Sequence, residues 1–126
     1  MGRDTGIILR SDAIIPFWVR VNRNKLREQR KSEGPYSLEI CYWRNKHRLA
    51  SRISDGFGMF ERDYADYEMT EDDAKLAMDA VWDQFRYGQE YNLYERLRLM
   101  QDYINLAWLY HLLKARPVEV IYYDSF

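Results

Sequence analysis

The chain has 126 residues, of which 47% are hydrophobic and 31% charged, and its formal net charge is −1. This composition predicts one soluble domain over residues 1–126 and excludes a wholly disordered chain. Its single cysteine, Cys41, excludes an internal disulfide, and no apolar run approaches the length that spans a membrane.

The small net charge conceals a division of charge along the chain. Residues 1–54 contain twelve Lys or Arg and five Asp or Glu, a balance of +7, whereas residues 55–126 contain seven and fifteen, a balance of −8. We therefore expect one cationic and one anionic end in the folded molecule, an arrangement that commonly serves binding. In the alternative, the acidic half neutralises the basic half within the fold or across a dimer.

The first third of the chain is predicted to be mainly extended. Residues 6–9 and 13–21 are rich in branched and aromatic side chains, and Pro16 in the second run suits an edge strand. Residues 22–34 carry many cations and little apolar surface, which predicts an exposed basic loop or frayed helix. The alternation from Tyr36 to Trp43 predicts a strand after the Gly-Pro turn.

A short basic helix is predicted from Arg44 to Ser54. Leu49, Ala50 and Ile53 would share its apolar side, and Arg44, Arg48 and Arg52 would form a row on the other. Residues 55–69 contain glycines and a cluster of acids, which predicts an acidic loop.

Two longer helices are predicted next. Thr70, followed by three acids, predicts an N-cap, and Gly88 predicts the end of the first helix. Its apolar stripe would be Ala74, Ala77, Met78, Val81 and Phe85.

The second long helix is predicted over residues 90–115. It has two apolar stripes, which predicts a central helix buried within the monomer, with a dimer interface or partner groove as the alternative. The stripes are Leu93, Leu97, Met100, Ile104, Ala107 and His111, and Leu99, Tyr103, Leu106, Tyr110 and Leu113.

After Pro117, residues 118–123 predict a last strand that pairs beside the Tyr36–Trp43 strand. The predicted fold is therefore α+β, with a small antiparallel sheet packed on two main helices and one short basic helix.

The order of these segments resembles a family of small phage-encoded proteins. The shared features are the MGRD opening, the LEICYWRNKHRL segment with its Tyr-Trp-Arg run, the two helices TEDDAKLAMDAVW and YNLYERLRLMQDYINLAW, and the closing IYYDSF. That family typically begins MGLD, carries a YWRK segment and ends in a Ser-Ser-Trp-like tail. The resemblance implies a phage origin and no established activity.

No residue set has the spacing of a known reaction centre. His47 and His111 lack partners at zinc-ligand spacing, the acids of residues 61–73 follow no calcium-loop pattern, and no nucleophile–base pair or phosphate loop is present. We therefore expect no catalytic residue, metal or cofactor, and read His111 as a core or half-buried histidine. A small enzyme with an unrecognised site remains the alternative.

The basic segment provides the candidate binding residues. They are Trp43, Arg44, Lys46, His47, Arg48 and Arg52, with Arg23, Lys25, Arg27, Arg30 and Lys31 on the preceding loop. Two functions fit them: stoichiometric binding to a host macromolecule, as a phage-type inhibitor or anti-defence protein, and nucleic-acid binding by phosphate contacts and stacking. We expect a cytoplasmic protein with a host protein as partner, nucleic acid or a homodimer as the alternatives, and no membrane association.

Overall fold

The computed structural model describes residues 2–20, 37–59, 66–88 and 91–125. These ranges contain four strands and three helices: β1 Asp4–Arg10, β2 Ser37–Arg44, α1 His47–Gly56, β3 Tyr67–Glu68, α2 Glu71–Tyr87, α3 Leu93–Ala115 and β4 Glu119–Ser125. The strands form one antiparallel sheet, so the predicted α+β class is confirmed. No helix within these ranges combines the length and apolar character needed to cross a bilayer.

β1 lies between the two strands that were predicted to pair. The sheet order is β2-β1-β4-β3, and β2 and β4 each pair with β1. The prediction that these two strands share a sheet is confirmed, but their direct pairing is wrong. β1 is buried from Thr5 to Leu9, as expected of a strand with neighbours on both sides.

Tyr123 links the two strands that β1 separates. A Cβ placed on Gly6 of β1 would stand 2.6 Å from the hydroxyl oxygen of Tyr123, so the ring occupies the space that a side chain would need. The Tyr123 side chain reaches across β1, and its hydroxyl donates a hydrogen bond to Glu39 Oε2 of β2, at 2.7 Å.

Residues 11–20 do not form a strand, so the edge strand predicted over residues 13–21 is wrong for its described part. Pro16 has no N–H to contribute to a sheet, and its carbonyl instead accepts a hydrogen bond from Val19, at 3.1 Å, in a turn. Ile14 and Phe17 point outward and are 92% and 94% exposed.

Asn105 of α3 holds this segment against β2. The register of β2 shifts between Ile7 and Ile8 of β1 and leaves Ile40 as an extra, bulged residue. The buried amide of Asn105 donates to the carbonyls of Ile40, at 2.9 Å, and Arg20, at 2.8 Å. Its Oδ1 accepts from the Arg20 N–H and from Gln101 Nε2. All four hydrogen-bonding positions of this amide are used.

α1 begins at His47, so the helix predicted from Arg44 starts three residues too early. Arg44 ends β2, and Asn45 has φ 58, a left-handed conformation that ends the strand. Asn45 donates its N–H to the Arg3 carbonyl at 2.8 Å, and its Oδ1 accepts from the Arg3 N–H at 3.0 Å. Arg44 therefore does not belong to a helical row with Arg48 and Arg52.

The remaining part of the helix prediction is confirmed, because Leu49, Ala50 and Ile53 are buried. α1 continues to Gly56 and residues 67–68 form β3, so the loop predicted over residues 55–69 is shorter than expected. Residues 60–65 and the basic loop of residues 22–34 lie outside the described residues.

α2 begins as its sequence predicts. Thr70 Oγ1 accepts a hydrogen bond from the Asp73 N–H at 3.3 Å, and Asp73 Oδ2 accepts one from the Thr70 N–H at 2.8 Å, which completes a capping box. Gly88 is the C-cap. The predicted stripe residues Ala74, Ala77, Met78 and Val81 are buried, and Phe85 is half-buried.

α3 faces the core with one of its two predicted stripes and buries the other only in part, so the prediction that both stripes are buried is only partly confirmed. Leu99, Leu106 and Leu109 face the core, whereas Leu93 and Leu97 of the other stripe are 73% and 59% exposed. Asn92 caps the helix by accepting from the Glu95 N–H at 2.8 Å. His111, predicted to be core or half-buried, is exposed.

A buried ion pair joins the start of β1 to the end of β4. Arg3 Nε donates to Asp124 Oδ1 at 2.9 Å, and Arg3 Nη2 donates to Oδ2 at 2.5 Å. Two serines of α1 complete the cluster: Ser51 Oγ accepts from Arg3 Nη1 at 2.8 Å, and Ser54 Oγ donates to Asp124 Oδ2 at 2.7 Å. The hydrogen bond to Asp124 raises the pKa of Arg3. α1, β1 and β4 are thus held by one polar cluster.

We expect Arg3→Met to lower the free energy of unfolding by about 3–5 kcal/mol, because it leaves the buried Asp124 carboxylate without its cation. The double variant Arg3→Met with Asp124→Leu removes both charges and should be more stable than Arg3→Met alone. Urea unfolding of the three proteins measures both effects. A loss of less than about 1 kcal/mol in Arg3→Met would contradict the assigned role of the pair.

Candidate functional site

A groove runs between β2 and the N-terminal half of α3. It consists of two adjoining cavities of about 730 and 270 Å³, which share Tyr42, Tyr94, Arg98 and Asp102. We call the whole the β2–α3 groove and the smaller cavity the arginine pocket. The described residues that line the arginine pocket are Tyr42, Trp43, Arg44, Lys46, Tyr94, Glu95, Arg98, Leu99 and Asp102.

The helical wall of the groove comes from a simple repeat. Tyr94, Arg98 and Asp102 are four residues apart, so α3 places them in one row, and all three line both cavities. On the other wall, the turn at Asn45 ends β2 and leaves Arg44 and Lys46 beside this row. The arginine pocket therefore brings together residues that are about fifty positions apart in the chain.

Trp43 and Asp102 form a hydrogen bond at the base of the groove. Trp43 is buried, and its Nε1 donates to Asp102 Oδ2 at 2.7 Å. Burial is the main cause that raises the pKa of Asp102 from 3.8 to about 7, against the lowering effects of the Trp43 hydrogen bond and the nearby Arg98 and Lys46. The Asp102 carboxyl is thus poised to titrate near neutral pH.

Cys41 lies beside this pair and is a buried free thiol. Its Sγ is 3.9 Å from the Asp102 carbonyl oxygen. Burial raises the pKa of the Cys41 thiol well above its ordinary value, so it stays protonated and unreactive near neutral pH.

The cations of the arginine pocket differ in how they are paired. Lys46 Nζ contacts Glu95 Oε2 at 2.9 Å and stands 4.5 Å from the centroid of the Tyr91 ring. The Lys46 hydrogen bond is the main cause that lowers the pKa of Glu95. Arg98 lies over the Tyr94 ring, with its guanidinium carbon 5.9 Å from the ring centroid. The described structure shows no ion pair for Arg44 or Arg98.

Beside the groove, α3 presents apolar side chains to solvent. Leu93, Tyr94 and Leu97 are 73%, 67% and 59% exposed, and we call them the exposed face of α3. One turn further along, Gln101 Nε2 donates to the Trp18 carbonyl at 2.7 Å, which holds the main chain of Trp18 at this helix.

The structure separates the binding residues that the sequence analysis grouped. Trp43 is buried and offers no stacking surface, whereas Arg44 and Lys46 join the arginine pocket. His47 and Arg48 are exposed on α1, and Arg52 forms an ion pair with Asp83 of α2. Arg23, Lys25, Arg27, Arg30 and Lys31 lie outside the described residues.

The sequence analysis missed Tyr94, Arg98 and Asp102. Their four-residue repeat was a visible signal, because it forms a polar row between the two apolar stripes of α3. Only the fold, however, shows that this row faces the end of β2.

Among the described residues, no three His, Cys, Asp or Glu side chains come together as a group that could hold a metal ion. In comparisons with known proteins, no family model, curated protein or solved structure matches this chain.

We expect Asp102→Asn to change how stability depends on pH. Between pH 4 and 7 the folded protein retains a proton on Asp102 that the unfolded chain has lost, so the free energy of unfolding falls as pH rises through this range. The amide keeps an acceptor for Trp43 and has no charge, so at pH 8 the variant should be more stable than wild type by about 1–4 kcal/mol.

Urea unfolding from pH 4 to pH 8 measures this difference, which should disappear towards pH 4. Glu68→Gln removes one exposed carboxylate and is the control for the loss of a negative charge. A constant difference between Asp102→Asn and wild type over the whole range would show that the buried charge is not its cause.

Proposed function

We propose that this protein acts by stoichiometric binding to another protein, through the exposed face of α3 and the adjoining β2–α3 groove. The observation that carries the proposal is the contrast along one helix: Leu93 and Leu97 are mostly exposed, whereas Leu106 and Leu109 are fully buried. Clustered exposed apolar side chains are characteristic of interaction surfaces.

The composition of this surface supports a protein partner. Tyr94 and Arg98 line the larger cavity of the groove together with the exposed Leu97, and Arg44 lines the adjoining arginine pocket. Tyrosine and arginine are enriched at protein interfaces and among their hot spots. The groove also offers a concave surface into which a partner's side chains can insert.

The resemblance to small phage-encoded proteins supplies the biological setting of the proposal. In that setting the chain is a phage accessory protein of the inhibitor or anti-defence type, and its target is a macromolecule in the host cytoplasm. Binding of this kind needs no catalytic residue, and we assign none.

Nucleic-acid binding is the weaker candidate, for two structural reasons. Arg52 and Lys46, two of the cations on which it depended, are paired with Asp83 and Glu95. Trp43, which the sequence analysis expected to stack on bases, is buried and offers no surface to a base.

We expect Leu97→Asp to abolish capture of a protein partner from nuclease-treated host lysate without unfolding the protein. A charge at this exposed position should change the free energy of unfolding by less than about 1 kcal/mol. Leu106→Asp is the matched control on the same helix and should cost roughly 3 kcal/mol or more, because it places a charge in the core. The wild-type protein and the two variants are compared by pull-down, thermal melting and light scattering.

Other results would contradict the proposal. Capture that survives in Leu97→Asp would exclude this face as the contact surface. Capture that disappears with nuclease would favour the nucleic-acid alternative. A wild-type dimer that Leu97→Asp converts to a monomer would assign the face to self-association.

A further inference from the structure

This inference rests on the proposed function and names the chemistry of the partner. We propose that the arginine pocket receives an Asp or Glu side chain from the bound segment of the partner protein. Arg44 and Arg98 would hold the carboxylate, while apolar side chains of the same segment cover Leu93 and Leu97.

The charge of the pocket favours an acidic guest. Lys46 is neutralised by Glu95 at 2.9 Å, whereas Arg44 and Arg98 have no ion pair in the described structure. Asp4, which stands opposite Arg44 in the sheet, accepts a hydrogen bond from the Tyr42 hydroxyl at 2.7 Å. The two arginines that line the pocket therefore have no ion-pair partner among the described residues, and arginine binds a carboxylate through paired N–H groups.

The size of the pocket favours a single side chain. Its volume is about 270 Å³, below the roughly 300–1,000 Å³ typical of sites that enclose a whole small molecule. It opens into the cavity of about 730 Å³, which can take the neighbouring residues of a bound segment. Tyr94 lines both cavities and is also part of the exposed face of α3, so an acidic side chain in the pocket would have apolar neighbours on that face.

Asp102 limits the affinity of the pocket for an anion. Asp102 lines the pocket together with the two arginines, and its carboxyl accepts a hydrogen bond from Trp43 Nε1 at 2.7 Å. Replacement by Asn removes a negative charge and keeps the shape of the side chain. We therefore expect Asp102→Asn to bind an acidic segment more tightly than the wild-type protein does.

The test is selection from a displayed library of random heptapeptides on the wild-type protein, followed by calorimetry with the selected peptides. We expect the selected peptides to share one Asp or Glu next to apolar residues. Changing that acid to its amide should weaken binding at least about tenfold, as should Arg44→Glu or Arg98→Glu in the protein. Asp102→Asn should strengthen binding several-fold, and Arg98→Lys should retain part of it.

Arg116→Glu is the matched control, because it reverses one exposed charge about 27 Å further along the helix axis. It should bind the selected peptides as the wild type does. Both Arg44 and Arg98 are exposed, so their variants should remain folded, with a modest loss of stability because each Glu stands near an acid, Asp4 or Asp102. Thermal melting checks this.

Several results would overturn the inference. The library could yield no binder, or the selected peptides could lack an Asp or Glu. The affinity of the selected peptides could also stay unchanged in Arg44→Glu and Arg98→Glu. Salt-sensitive binding of a mixed-sequence single-stranded RNA that these variants abolish would assign the pocket to phosphate and overturn it as well.

The same variants separate this inference from the proposed function. Suppose that Leu97→Asp abolishes partner capture and Arg98→Glu does not. The exposed face of α3 then binds the partner, but the proposal that the arginine pocket receives an acidic side chain is wrong. If neither variant affects capture, both proposals are wrong.

Discussion

Arg3 and Asp124 meet where the first residues of β1 run beside the last residues of β4, and serines of α1 complete their hydrogen bonds. Because the main chain of Arg3 is also bound to Asn45, this cluster determines where the chain leaves β2. Asn45 turns the chain in a left-handed conformation, and α1 begins two residues later. Arg44 and Lys46 consequently line the arginine pocket, so the candidate site depends on a polar cluster that is not part of it.

The base of the groove illustrates a different balance between stability and function. A carboxylate at position 102 is unfavourable in the folded protein at neutral pH, because burial outweighs the Trp43 hydrogen bond and the neighbouring cations. The core contains no such unfavourable charge at Ile7, Leu49 and Leu106, which are fully buried apolar side chains. Local departures from the most stable arrangement are concentrated at functional sites, and the β2–α3 groove contains one.

Features that depend on neighbouring residues were predictable from the sequence. The capping box of Thr70 and Asp73, the end of α2 at Gly88 and the extended character of β2 and β4 are local signals, and the structure contains all of them. Features that depend on distant residues were not predictable. The position of β1 between its partners, the bulge at Ile40 and the burial of Trp43 each require contacts with segments far along the chain. The arginine pocket was not predictable for the same reason, because its walls come from segments that are far apart in the chain.

Ion pairs connect the basic and acidic halves of the chain in the described residues. Arg3–Asp124, Arg10–Glu119, Lys46–Glu95 and Arg52–Asp83 each join a cation of the basic half to an acid of the acidic half. In the described residues the two halves therefore neutralise each other at these four contacts. Unlike the buried Arg3–Asp124 pair, the three more exposed pairs add little stability, but they change which cations are available to a ligand. Arg44 and Arg98 stand outside this pairing and line the same pocket, which makes them the strongest candidates for recognition of an acidic partner.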